Sequence, residues 1–287
     1  MISINPKETP LPKLHQYMLG SMAPRPIAFA STLDKEGRPN LAPFSFFNAF
    51  GSNPPVVAFS PARSGRDNTT KNTLDNIEET KEVVINIVHY AMVHQMSLAS
   101  CPYPKGVNEF LKSGLTPIAS EIVKPFRVKE SNVQLECKVL DIVKTGSTGG
   151  AGNMIICEIL LIHINESILN EDGRMDPYKM DLVARMGGDY YCRVIPESIF
   201  VLPQPKTEIG IGVDVLPEHI RHSTILTGNN LGQLGIFQHF PTDEELAETR
   251  KQYPVMPTTE LHQLAKSKLD NGEAWEAFKM LLMNDEW

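Results

Sequence analysis

The chain has 287 residues, of which 41% are hydrophobic and 21% charged, an ordinary balance for a globular protein near the upper size of one domain. That balance excludes a disordered chain and a small disulfide scaffold. The formal net charge of −7 disfavours nucleic acid and anionic membranes as partners, and most of it is local, because residues 241–287 hold ten Asp/Glu against five Lys/Arg.

The N-terminal stretch MISINPKETPLPKLHQYM lacks the basic-then-apolar pattern of a secretory signal, and no apolar run reaches the length of a membrane span. A cytoplasmic location is therefore expected. Residues 25–32, RPIAFAST, form a short apolar run before the turn segment DKEGRPN. LAPFSFFNAF (41–50) is aromatic-rich and extended, and PPVVAFS (54–60) is a further strand. In DNTTKNTLDNIEET (67–80), Asp67 or Asn68 is expected to cap a helix that turns Leu74 and Ile77 inward. EVVINIV (82–88) reads as a central strand, while Met92, Met96 and Leu98 read as helix packing.

The clearest hairpin pairs residues 132–146 with 153–167 across STGGAG, with Val133, Leu135, Cys137 and Val139 alternating with polar residues. Long strands, short connections and no βαβ alternation predict a mainly β, antiparallel barrel over residues 1–204. A Pro- and Gly-rich stretch follows. Residues 205–287 then read as a helical extension packed on the barrel, with helices expected at LPEHIRHS, 242–252, 258–269 and 272–283. Thr242 with Glu245 marks one helix start. The four cysteines, Cys101, Cys137, Cys157 and Cys192, form no CxxC pair and read as free, mostly buried thiols.

Three segments combine in a way that a purely structural protein does not need. SMAPRPIAFAST ends in the hydroxyl pair Ser31 and Thr32; NLAPFSFFNAF sets Ser45 and Asn48 among four phenylalanines. SPARSGRDNTTKNTLDNI packs Ser60, Arg63, Ser64, Arg66, Thr69, Thr70, Lys71 and Thr73 into one loop and helix start. A phosphate monoester asks for charged and hydroxyl donors beside a helix N-terminus, and a flat heteroaromatic ring asks for an apolar slot with donors at its edge. Together the segments point to an aromatic phosphate ester.

These stretches, with KNTLDNI followed by EVVINIV and the later DGRMDPYKMDLVARMGGDYYCRV, resemble the flavin reductase-like proteins, whose fold is an FMN-binding split β-barrel and which include flavoredoxins and NAD(P)H:flavin oxidoreductases. The resemblance spans roughly residues 20–195. It implies a homodimeric flavoprotein that accepts hydride from NAD(P)H and passes electrons to free flavin, a protein or a small acceptor, with no acid–base side chain required. By the same resemblance, Ser31 and Thr32 meet the flavin ring edge or ribityl chain, and Ser45, Phe46, Phe47 and Asn48 surround the isoalloxazine. Lys71, Asn72 and Thr73 stand where the family has a K-D-T triplet and serve the phosphate, helped by Arg66; Asn72 replaces the usual acid. Tyr190, in RMGGDYY, lies near the flavin across a dimer interface.

Other motifs read as structure. GSTGGAGN precedes a strand and not a helix, which fits a hairpin turn and not a phosphate loop, and neither GIGVDV nor GNNLGQLG makes the dinucleotide fingerprint. His219 and His222 have metal-compatible spacing but no third ligand, so they read as a solvated helix face, and His163 reads as structural. A flavin carrier or sensor without turnover fits the same residues. A split-barrel oxidase of a phosphorylated pyridoxine-type substrate shares the fold but would need a second basic cluster.

Overall fold

A computed structural model describes residues 1–205 and 207–284. The chain divides into two compact units, Met1–Phe200 and Val201–Trp287.

The first unit opens with α1 (Leu11–Ser21), followed by β1 (Ala28–Leu33), β2 (Pro39–Phe44), β3 (Phe47–Ser52) and β4 (Pro55–Phe59). Then come α2 (Asn72–Thr80), β5 (Glu82–Ile87), α3 (Val93–Ala99), α4 (Glu109–Ser113) and the short pair β6 (Pro117–Ile118) and β7 (Arg127–Val128). The long hairpin β8 (Val133–Lys144) and β9 (Asn153–Ile164) follows, and β10 (Val183–Arg185) pairs with β11 (Tyr191–Arg193). The main sheet is antiparallel, with strand order β2-β1-β5-β8-β9-β4-β3.

That order explains the barrel. β2 and β3 are the two outer strands of the sheet, yet only Ser45 and Phe46 separate them in sequence. Three Cα steps span at most about 11 Å, so the sheet must curl until its edges nearly meet. Register shifts between Glu136 and Cys137 and between Val139 and Asp141 mark bulges that bend the β8–β9 hairpin to match. The expected single extended stretch at 41–50 is thus two strands, broken at the seam of a split barrel.

β1 shows why the strand reads as a continuous apolar run. Ala28 and Ala30 join the interior cluster with Phe59, Ile85, Leu135 and Ile155. Ile27 and Phe29 face the other way, into a second cluster with Met92, Met96 and Phe110. A strand covered on both faces loses its polar alternation. Leu74 and Ile77 of α2 are buried as expected, and so are Val133, Cys137 and Cys157, whose burial pushes the Cys157 thiol up to about 12. Leu98, in contrast, is 44% exposed and packs no core.

α2 begins later than the expected Asp67 or Asn68 cap. Asp67 accepts instead from the Thr69 amide and hydroxyl, at 3.2 and 2.8 Å, and Asn68 sits at φ 58°. A left-handed residue cannot start a helix, so Lys71 takes the N-cap position. The local hydrogen bonds of an Asp side chain outcompeted capping.

One buried acid ties the loop before β7 to the sheet. Glu136 Oε1 accepts from the Glu121 amide at 2.9 Å and lies 2.7 Å from His163 Nε2. Its Oε2 accepts from the amides of Ile122 and Val123 at 2.6 and 3.0 Å. Burial alone pushes this carboxyl up, but those amides and the His163 ring outweigh it and hold the pKa to about 2. His163 is therefore a structural partner.

The second unit has its own core, including Leu216, Ile220, Leu234, Leu246, Ala265, Phe278 and Leu281. Its helices are α5 (Glu218–Arg221), α6 (Gly228–Gly235), α7 (Asp243–Gln252), α8 (Thr258–Asp270) and α9 (Ala274–Leu282). The Thr242–Glu245 capping box forms as expected. α6 was not legible, because GNNLGQLG carries three glycines, the poorest helix formers after proline. A box between Thr227 and Asn230 and burial of Leu234 override that propensity. Among the described residues no helix is long and apolar enough to cross a membrane.

The segment before α5 crosses the end of α6 at backbone contact: the Gly212 amide donates to Gly235 O at 2.9 Å, and a Cβ on Gly210 would lie 2.5 Å from the same oxygen. Gly210→Ala is expected to destabilise the helical unit by about 1–3 kcal/mol. Hydrogen exchange should then quicken across α6, α8 and α9 while β5 and β8 keep their protection. Equal exchange in the variant and the parent protein would show that the crossing tolerates a methyl group.

Candidate functional site

The seam brings three of the sequence segments together through a residue that the motif reading passed over. Arg25 is 7% exposed, and its guanidinium donates to Leu19 O at 2.6 Å, Met22 O at 2.7 Å, Met186 O at 2.9 Å and Ser45 Oγ at 3.4 Å. Its backbone bridges to Arg185. The end of α1, the Ser45 turn and the RMGGDYY segment therefore share one anchor. The signal was the Arg of PRPI, a charged residue directly before a strand that is buried on both faces.

Of the seam residues themselves, Ser45, Phe46 and Phe47 are half-buried and Asn48 is exposed. Phe46 O accepts from the Ser60 amide at 2.9 Å, and Phe47 packs on the interior cluster. Asn48 Oδ1 accepts from the Ala49 amide at 2.9 Å, and the residue is exposed. Tyr190 is 78% exposed at the tip of the turn between β10 and β11.

The loop between β4 and α2 is rigidified by the β8–β9 turn. The Arg63 amide donates to Ala151 O, the Gly150 amide returns to Arg63 O, and Asn68 Nδ2 donates to Ser147 O at 3.0 Å. Arg63 spends its guanidinium on Asn68, at 2.7 Å to Oδ1 and 2.5 Å to the carbonyl oxygen. Arg66 and Lys71 are different: both are exposed, and neither side chain makes a hydrogen bond or ion pair among the described residues. The Asn72 and Thr73 amides, at the start of α2, likewise carry no acceptor there. Two free cations and two free N–H groups in one short stretch form a place for an anion.

Lys71, Asn72 and Thr73 line a cleft with Asn40, Phe44, Tyr103 and Glu109. Glu109 is 4% exposed; burial raises its pKa, and its Oε2 accepts from the Leu41 amide at 3.1 Å. Thr73 is 1% exposed, and its hydroxyl accepts from Asn40 Nδ2 at 2.9 Å. Asn40, Tyr103 and Glu109 were missed, since a single Asn, Tyr or Glu carries no motif.

Ser31 and Thr32 are placed inside the fold. Both are fully buried, and as neighbours on β1 they point to opposite faces of the sheet. Thr32 Oγ1 accepts from Asn40 Nδ2 at 3.3 Å and from Asn76 Nδ2 at 3.1 Å. Ser31 Oγ has no hydrogen-bond partner among the described residues. Neither hydroxyl opens onto a surface, and the Thr32–Asn40–Thr73 and Thr32–Asn76 hydrogen bonds hold β2 against α2.

The profile of the flavin reductase like domain matches residues 19–179, more than half of the sequence. The chain belongs to the flavin reductase-like family. An uncharacterized protein of Aquifex aeolicus is 39% identical over 191 residues, which cover 67% of this chain and 95% of that protein. Among solved structures, nitrilotriacetate monooxygenase component B from Bacillus cereus aligns with a TM-score of 0.66 and 30% identity, over 70% of this chain and 98% of its own. Flavoredoxin of Desulfovibrio vulgaris (Miyazaki F) aligns with a TM-score of 0.53 and 26% identity, over 64% and 92%. Family membership places the chain among flavin-related oxidoreductases with a split-barrel fold, and the matched region ends well before the helical unit.

Proposed function

We propose that this protein binds FMN at the barrel seam, takes hydride from NAD(P)H and passes electrons to free flavin or another acceptor. The observation that carries the reading is the pair of unpaired cations, Arg66 and Lys71, beside the free amides of Asn72 and Thr73. Those groups fit the phosphate end. Backbone donors and the Asn48 amide of the Ser45–Asn48 stretch fit the edge of the isoalloxazine, and Phe44 with Phe47 fits its apolar border. Bound FMN supplies the two-electron chemistry. The chain's own work is to hold the ring in place, to leave one face open to the donor and to keep the loop from 60 to 71 preformed.

Protein reconstituted with FMN and desalted is expected to keep flavin absorbance, and anaerobic addition of NADH or NADPH is expected to bleach it. A protein that retains no flavin refutes the proposal. Flavin that stays oxidised with both nucleotides identifies a carrier.

The same reading includes a homodimer. On the β8–β9 ladder Ile162 and Ile164 face Leu135 and Val133, yet they remain 47% and 38% exposed while their partners are buried. An apolar row that continues the core into solvent calls for a cover, and a second copy of the barrel is the proposed one. Sedimentation equilibrium should give twice the chain mass of 32.0 kDa, and Ile162→Asp should reduce it to one. A parent protein of single-chain mass removes the dimer.

A further inference from the structure

We infer that Arg25 is the positioning residue of this flavin site: it never touches the cofactor but holds the walls around it in one arrangement. The inference rests on the flavin reading above. Its guanidinium is buried and meets no carboxylate among the described residues; its acceptors are three backbone carbonyls and one hydroxyl. A buried cation without a counter-ion is costly, and only a full set of well-placed acceptors sustains it.

α1 has no fully buried residue, and its Leu14, Tyr17 and Leu19 are half-buried, so apolar packing secures it only in part. Its C-terminal end is held by Arg25 at Leu19 and Met22, and there Gly20 lies so close to Gly187 that a Cβ on Gly187 would come within 3.2 Å of it. Its first residue, Leu11, lies against Gly150, in the turn that braces the Arg63 loop. α1 thus runs from the loop of free cations to the RMGGDYY turn, and Arg25 is the pin at the second end. The same guanidinium orients Ser45 at the seam, so one side chain sets the seam, the turn that carries Tyr190 and the helix alongside.

Planar fork geometry is what the arrangement uses. Three N–H directions serve three segments at once, which a lysine ammonium on a flexible stem cannot reproduce. The test compares Arg25→Lys and Arg25→Met with the parent protein in two readouts, FMN dissociation constant by fluorescence quenching and amide exchange of the FMN-free protein. Both variants are expected to bind FMN at least tenfold more weakly. Exchange should quicken at residues 17–22 and 186–190, while β5 and β8 remain protected. Arg25→Met binding within twofold of the parent overturns the role, as does full recovery by Arg25→Lys, which would make charge alone sufficient. Faster exchange over the whole sheet also overturns it, because Arg25 would then be holding the fold and not the site. A parent protein that binds no FMN removes the flavin reading and this role together, whereas a tight parent beside an unaffected variant removes this role alone.

Discussion

Replacing Arg66 and Lys71 together by alanine is expected to weaken FMN binding about 100-fold while leaving riboflavin binding nearly unchanged. Each cation is unpaired among the described residues, so its charge is available to a phosphate without breaking an ion pair there. A charge-assisted hydrogen bond contributes about 1.5–3 kcal/mol, and solvent exposure brings each of these to the lower end, roughly tenfold per residue. The parent protein's preference for FMN over riboflavin should also shrink as salt is raised, because exposed charges are screened. Titration of both flavins against the parent protein, each single variant and the double variant measures this directly. Equal losses for the two flavins would move the cations to the ring end, and no loss for either would place the phosphate elsewhere on the barrel.

Glu136→Gln is expected to cost about 3 kcal/mol at neutral pH and to flatten the acid dependence of stability. The carboxyl titrates at about 2 in the fold against an ordinary 4.5, so the folded state binds the proton more weakly than the unfolded chain. Its contribution is then fully present above about pH 5 and is lost as the pH falls toward 2, a swing of about 3 kcal/mol. Glutamine keeps the shape but offers an NH2 where the Glu121, Ile122 and Val123 amides and the His163 ring demand acceptors. Urea unfolding at pH 7 and pH 3 reads both effects. The parent and variant curves should converge as the pH falls, and a constant gap between them would mean that the charge of Glu136 has no part in stability.

Much of the barrel was legible because its signals are local. The β8–β9 hairpin, β5, α7 with its Thr242–Glu245 box and the inward residues of α2 follow from alternation, β-branching and capping, each read within about a dozen residues. Failures occurred where a local preference met a competing local hydrogen bond or a distant contact. Asp67 and Asn68 read as caps until the Asn68–Ser147 contact and the Thr69 bonds are known, and GNNLGQLG gives no helix signal until Leu234 is seen in a core.

The site divides in the same way. Residue chemistry in one short window marked the donor-rich stretch from Ser60 to Thr73, and the family resemblance narrowed it to Arg66, Lys71, Asn72 and Thr73 as the proposed phosphate end, with 45–48 as the proposed ring border. By itself, then, the sequence determined the family and the antiparallel β class, and it supplied the residues proposed for the two ends of the site. Only the tertiary structure decided that Ser31 and Thr32 turn inward on opposite faces of β1, that the seam falls between Phe44 and Phe47, and that Arg25 joins three segments, one of them 161 residues away in sequence. Those outcomes depend on sheet closure and on the satisfaction of buried polar groups, conditions that involve the whole chain at once and leave no periodic trace in any window of it.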